Sequence, residues 1–550
     1  MKVTYKDKIY ELSEYMKVTD LLKDEITDQH IACVLNNEVH ALDYEIRENC
    51  KLDLITSDSI EGRKIYIRGL MYIMGKAFHD VLPGYLLSVN YQLHNAMFCQ
   101  VDNKKITAED IQKVKKRMEE IIANDLPIMK VVMTPEEAKT FYAKSKSANG
   151  RFQLSNPKRH VSLYFCEDYY NYLYGTMPLR TGMMKVFEIE LYKNGFLVRY
   201  PDKHTPGVMS EFKESMKLLA TFNEYDEIYK LLNVNTAYKF NKKVKQGEIN
   251  DFILLSEALH EKKISILADK IAKKPNVKMV LIAGPSSSGK TTFAKKLSLD
   301  LRLNGLKPVT ISVDNYFVER EENPKDENGN YDFECIEAID LKLFNEHLVK
   351  LLNGEEIEVP SFDFKVGTKR YDGTKMKLGK DEILVIEGIH CLNDKLTSAI
   401  PREEKLKIYI SDLTVINVDY FNRISTTDTW LLRRIVRDHN FRGYDALTTL
   451  RTWYSVNRGE ESYIYPYQEE ADYMFNSSII YELAILKKYA LPLLSQIDNS
   501  NEEYGEAQRL IKLLECFEDI PDEDIPNTSL IREFIGGSIY YPDNKKKKDE

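Results

Sequence analysis

Residues 277–292, VKMVLIAGPSSSGKTT, decide the fold. The apolar, β-branched run from Val277 to Ala283 predicts a buried parallel strand. The following TTFAKKLSLDLRLNG predicts a helix closed by Gly305, with Phe293, Leu297 and Leu301 at four-residue spacing on one packing face. Between them, GPSSSGKT fits the phosphate-loop pattern G-x-x-x-x-G-K-[ST]. Gly284 and Gly289 let the backbone through Pro285, Ser286, Ser287 and Ser288 wrap a di- or triphosphate. Lys290 neutralises the outer phosphates, Thr291 offers a hydroxyl to Mg²⁺, and Thr292 continues the helix N-terminus that faces the anion. The expected ligand is a nucleoside triphosphate, ATP or GTP.

Later signals turn nucleotide binding into phosphoryl transfer. KPVTISVDNYF predicts a second strand over Val309 to Val313, with Asp314 at the carboxyl edge where open α/β sheets bind ligands. A carboxylate there can take the proton of an attacking hydroxyl. EILVIEGIH repeats the design, and Glu387 at its end is an expected magnesium residue, while His390 reads as a packing residue. TTDTWLLRRIVRDHNFRG predicts a cationic helix in which Arg433, Arg434 and Arg437 share neighbouring faces and Arg442 lies in a loop opened by Gly443. A mobile arginine lid of this kind stabilises charge on a transferring phosphoryl group.

Composition bounds the rest. A chain of 550 residues divides into several domains, and 43% apolar with 30% charged residues describes a globular protein. No apolar run approaches the roughly 18 residues that span a bilayer, and Asp7 and Glu11 stand where a leader needs an apolar core, so the expectation is a cytoplasmic chain without membrane contact. Seven cysteines without a C-x-x-C pair argue against a disulfide framework or structural zinc. A net charge of −9 argues against general nucleic-acid affinity. Two basic stretches, one around Lys113 and Lys115 and one from Ala143 to His160, leave RNA contact as the minority reading beside solvated faces. His79 and His94 read as ordinary packed or surface histidines. Residues 248–274 predict one or two amphipathic helices, with Phe252, Leu255, Leu259, Ile264, Leu267, Ala268 and Ile271 on apolar faces, bracing the two halves of the chain.

Taken in order, GPSSSGKT, SVDNYF, NYDFECIEAID, PSFDF, VIEGIH, RRIVRDHNFRG and EEADYMF resemble the motifs of the uridine kinase and phosphoribulokinase family over roughly residues 276–495. The resemblance implies an α/β phosphate-loop fold with a parallel sheet, ATP and Mg²⁺ as cofactors, a small-molecule acceptor such as a nucleoside, and a homo-oligomer. It makes Asp314 the base for a sugar hydroxyl, with Tyr316, Asp332, Phe362 and Asp363 on the acceptor side. Lys290, Thr291 and Glu387 serve ATP and magnesium, and Arg433, Arg434, Arg437 and Arg442 form the lid. Phe362 stands for the usual Tyr, and Gly367 or Thr368 lies near an expected His, so pyrimidine recognition is not implied. The stretch from Leu392 to Thr427 is longer than the family connection.

The N-terminal half carries two further resemblances. Residues 1–60, with KVTYKD, IACVLNN and LDLITS around TDLLKDEI, resemble a β-grasp TGS domain. Residues 61–225 resemble the α+β second additional domain of threonyl-tRNA synthetase, but Arg68, Tyr72, Leu173 and Met177 replace its metal and editing ligands. The expected order is then a helical connector at 226–275, the kinase-like domain at 276–500, and a C-terminal helix with charged tail at 501–550. Three functions stay open: a nucleoside kinase, a kinase for another alcohol such as a sugar phosphate or pantothenate, and a nucleotide-regulated RNA-binding protein.

Overall fold

The computed structural model describes residues 1–144, 160–202, 205, 207–325, 329, 331–363 and 366–541. Most of the basic stretch from Ala143 to His160 and the charged tail at 542–550 lie outside the described residues.

Five parallel strands lie side by side in the order Lys307–Ser312, Glu382–Glu387, Met279–Ala283, Lys405–Ser411 and Tyr473–Asn476. The central strand, MVLIA, is buried throughout, as a parallel strand covered on both faces must be. Its period-two alternation separates two cores: Met279, Leu281 and Ala283 pack with Phe344 and Leu348, while Val280 and Ile282 pack with Phe293, Leu297 and Leu301. The helix that carries those last three residues runs Lys290–Leu303, and the Gly305 N–H closes it on the Arg302 carbonyl at 3.0 Å. The second strand stops at Ser312, one residue before the expected end, because Val313–Tyr316 tighten into a 3₁₀ turn that carries Asp314.

Residues 248–274 form one continuous helix, Ile249–Ala272, whose C-terminal half packs on the sheet through Ile264, Leu267, Ala268 and Ile271. Leu255, expected on the apolar face, is 46% exposed. The buried face instead admits polar residues that find partners: His260 Nε2 lies 2.8 Å from the Ser478 carbonyl, and Glu257 accepts from the Tyr481 and Ser529 hydroxyls at 2.7 Å each.

The first sheet of the chain is mixed, in the order Lys8–Glu11, Lys2–Tyr5, Cys50–Thr56, His30–Leu35, Glu38–His40, with Lys2–Tyr5 and Cys50–Thr56 parallel. A second sheet, Glu188–Tyr192, Gly195–Arg199, Ala96–Val101 and Leu87–Leu93, is antiparallel and shares a core with the long helix Ile60–Val81. On that helix Arg68 donates to the Thr176 carbonyl at 2.5 Å and Tyr72 to the Tyr164 carbonyl at 3.0 Å, while Leu173 and Met177 are buried. The long stretch after Leu392 includes a tether to this N-terminal half. Asn417 donates to the Val89 and Asn90 carbonyls at 3.3 Å, Asn422 donates to the Tyr172 carbonyl at 2.9 Å, and the Ala237 N–H reaches the Asn417 carbonyl at 2.8 Å.

Among the described residues no helix is long and apolar enough to cross a membrane. All seven cysteines are free and six are buried.

Candidate active site

The phosphate loop leaves the carboxyl end of the central strand. A Cβ on Gly284 would stand 1.9 Å from the Ile410 carbonyl of the neighbouring strand, so no larger residue fits. Gly289 begins the helix at φ +84°, and Ser287 is held at φ +60°, a left-handed conformation that costs a non-glycine residue about 1 kcal/mol and recurs at ligand sites. Lys290 Nζ donates to the Gly284 and Pro285 carbonyls at 2.9 Å each. The Ser287 and Ser288 hydroxyls are buried and have no hydrogen-bond partner. Unmet polar groups at a glycine-framed cradle fit an anion that supplies the missing bonds.

Across the cleft stand Asp314 and Glu387. Asp314 keeps an open surface, yet it sits low enough that lost solvation raises its carboxyl above the usual aspartate value, opposed by Lys290, Arg442 and Arg437. Glu387 is pushed up to about 7, by burial first and by Asp314 second, against the pull of Lys290 and of the Ser312 hydroxyl, which donates to it at 2.8 Å. Two neighbouring carboxylates, of which Asp314 raises Glu387, suit a divalent cation between ligand and sheet. The residues present therefore fit Mg²⁺, which Thr291 and Glu387 would hold and which when bound would neutralise phosphate charge.

The cationic helix runs Thr426–Arg437 and continues as a π turn, Asp438–Arg442. Arg434 donates to the Ser286 hydroxyl at 2.7 Å, tying the helix to the phosphate loop. Arg434, Arg437 and Arg442 surround the buried Asp438 at 3.3, 3.3 and 3.4 Å. Burial and the Arg442 charge lower Arg437 to about 10. Arg433 departs from the lid expectation. It is 0% exposed, sits beneath the loop, and is bonded to Glu482, to the Ser477 carbonyl and to the Ser287 carbonyl, with Asp412 at 3.4 Å. Its i−3 and i+3 neighbours, Trp430 and Val436, are buried too, which places it on the inward face, whereas Arg434 and Arg437 turn toward the cleft.

Of the residues expected on the acceptor side, Asp332 accepts from the Tyr463 hydroxyl at 2.7 Å and from the Glu334 N–H at 3.1 Å. Phe362 lies 5.5 Å from Phe317, just after the Asp314 turn, and Asp363 pairs with Arg370 at 2.8 Å. Tyr316 corrects the sequence reading. Its ring is 0% exposed, packs edge-on against Phe344 and meets His347 Nδ1 at 3.1 Å through its hydroxyl, so it belongs to the core and not to the cleft. His390 is buried as expected, and its ring lies 6.5 Å from that of Tyr463.

Several cleft residues escaped sequence reading. Asp438 follows directly on R-R-x-x-R, a signal that could have been used. Glu460 carried no signal, yet it accepts the Ser286 N–H at 2.6 Å. Burial pushes Glu460 up to about 8 despite that bond, which favours its protonated form. Because this folded value lies above the ordinary 4.5, the stability Glu460 contributes is full below about 4.5 and is lost as pH rises through about 8. Glu460→Gln, which keeps the acceptor and cannot ionise, is expected to flatten the fall in melting temperature between about pH 4.5 and pH 8. Thermal melts across that range check this, and an unchanged slope would assign the dependence to other acids.

Elsewhere, His79, Asp80 and Asp168 bring possible ligand atoms within 4.8 Å, but Lys76 and Arg117 already pair with Asp80. His94 meets the Ser215 hydroxyl at 2.9 Å.

A parallel sheet with a phosphate loop on its central strand, two acids at the carboxyl ends of the two strands on one side of it and a cationic helix over the loop defines the phosphate-loop kinase class. The Phosphoribulokinase / Uridine kinase family matches residues 279–482. The chain is 30% identical over 179 residues to a uridine kinase of Clostridium perfringens strain SM101, covering 32% of this chain and 74% of that protein. It is 28% identical over 192 residues to a uridine kinase of Halobacterium salinarum, covering 35% of this chain and 76% of the relative. A solved structure of a possible uridine kinase from Bacillus stearothermophilus aligns at 20% identity and a TM-score of 0.27, covering 39% of this chain and 98% of that one. The chain belongs to the phosphoribulokinase and uridine kinase family.

Proposed function

We propose that the protein transfers the γ-phosphoryl group of ATP to the hydroxyl of a small molecule, a nucleoside in the first instance. The observation that carries this reading is Asp314, held at the carboxyl edge of the sheet and facing Lys290, Arg437 and Arg442. Asp314 accepts the proton of the acceptor hydroxyl, and its raised carboxyl is a stronger base than a solvated aspartate. Lys290 and the arginines around Asp438 meet the charge that develops on the transferring oxygens. Asp332, positioned by Tyr463, faces the sugar of the acceptor.

ATP to ADP conversion across a panel of nucleosides, sugars and pantothenate, with a no-acceptor control, tests the reading. Strong stimulation by one nucleoside and formation of its monophosphate is the expected result. The absence of the family Tyr at Phe362 favours another alcohol as the second reading, and stimulation by a sugar phosphate or pantothenate alone would select it. Turnover indifferent to all acceptors and responsive to RNA would replace both with the regulator.

For the N-terminal half, the parallel pairing of Lys2–Tyr5 with Cys50–Thr56 supports a TGS-like β-grasp unit. The hydrogen-bonded Arg68 and Tyr72 support a binding module without metal-dependent editing.

A further inference from the structure

The chain beyond the family match closes on the phosphate loop. Glu533, on the short helix Arg532–Ile535, accepts from the Thr292 N–H at 3.2 Å and from the Thr292 hydroxyl at 2.5 Å. The Tyr541 hydroxyl lies 3.2 Å from the same Thr292 oxygen. Leu530 packs on Gly289 so closely that a Cβ there would meet it at 2.6 Å. Lys295 donates to the Tyr540 carbonyl at 2.7 Å and stands 3.8 Å over the Tyr541 ring.

The backbone of this segment is anchored. Leu530, Ile531, Phe534 and Ile535 are buried in the largest core of the chain, and the Asn440 amide donates to the Phe534 carbonyl at 3.0 Å. Phe534 also lies 5.1 Å beneath the Arg433 guanidinium. The Glu533 side chain is only partly buried, so it can swing while its helix stays in place.

Thr292 is fully buried, and its N–H is one of the first-turn donors that a helix leaves unsatisfied. In a phosphate loop those donors serve the ligand anion. Here a carboxylate of the same chain takes one, and a carboxylate and a phosphate on a shared donor repel. We propose that Glu533 is a built-in competitor of the nucleotide: its carboxylate and a nucleotide phosphate exclude one another at Thr292, so the C-terminal segment sets nucleotide affinity. This rests on the reading of the loop as a nucleotide site.

Glu533→Gln keeps the size and the hydrogen-bond acceptor and removes the charge. Calorimetric titration of full-length protein with ATP is expected to give a dissociation constant about tenfold lower than wild type. Glu533→Asp retracts the carboxylate by one methylene and is expected to tighten binding by a smaller factor, which keeps the idea testable if the first variant folds poorly. Equal or weaker ATP binding by Glu533→Gln, beside measurable binding by wild type, overturns the competitor role. ATP binding by neither protein overturns the nucleotide reading itself.

Discussion

Asp314→Asn is expected to lower kcat by about 10²–10⁴ while leaving ATP binding and the melting temperature close to wild type. The substitution keeps the shape of a residue in a turn whose neighbours Val313 and Tyr316 carry the packing. What it removes is the proton acceptor, in a place where Lys290, Arg437 and Arg442 keep their charges. Losing an anion beside those cations frees them for phosphate, so the ATP KM is expected to stay level or fall. Glu387, pushed up to about 7 partly by Asp314, is expected to titrate lower in the variant. A pH–rate profile on the wild type tests the same assignment. The rising limb reports a base above the ordinary aspartate value, and its disappearance in Asp314→Asn separates loss of a base from loss of a fold. Normal transfer by the variant at neutral pH would remove Asp314 from the chemistry.

How far such residues can be read from sequence depends on how local their setting is. The loop, the strand before it and the helix after it were legible because each is encoded within a few residues: a β-branched run, paired glycines, then Phe293, Leu297 and Leu301 at helical spacing. Asp314 and Glu387 were legible for the same reason, since each ends its apolar run. Tyr316 misled because a 3₁₀ turn rotates side chains by a different step than an extended strand, and this one turned inward to His347. Glu460 and Glu533 were not legible. They meet the loop from 174 and 241 residues away, and nothing in a glutamate's own neighbourhood states that a distant N–H will lie beside it. The N-terminal strands were placed by pattern, but their order, with the last strand inserted beside the first, appears only in the pairing.

Arg433→Met is expected to cost about 3–5 kcal/mol of folding stability, the range for breaking a buried ion pair from one side. Glu482 and Asp412 would remain in the interior without their cation. Burial already pushes Glu482 up to about 8 against the pull of Arg433, and removing that pull raises it further. The folded variant therefore holds its protons to higher pH than the unfolded chain does, and its deficit grows as pH rises and shrinks as pH falls. Melting curves from about pH 5 to pH 9 measure this. A double variant, Arg433→Met with Glu482→Gln, is expected to lose less than the two single losses added, since neither half is left alone. The loop feels the change too. The Ser287 carbonyl loses the Arg433 donor, so the strained φ at Ser287 is less firmly held and the ATP KM is expected to rise. A lid arginine behaves in the opposite way: its removal lowers kcat at unchanged stability. That outcome for Arg433→Met would return the residue to the lid, whereas the same outcome is the one expected for Arg437→Met, whose side chain turns to the cleft beside Arg442.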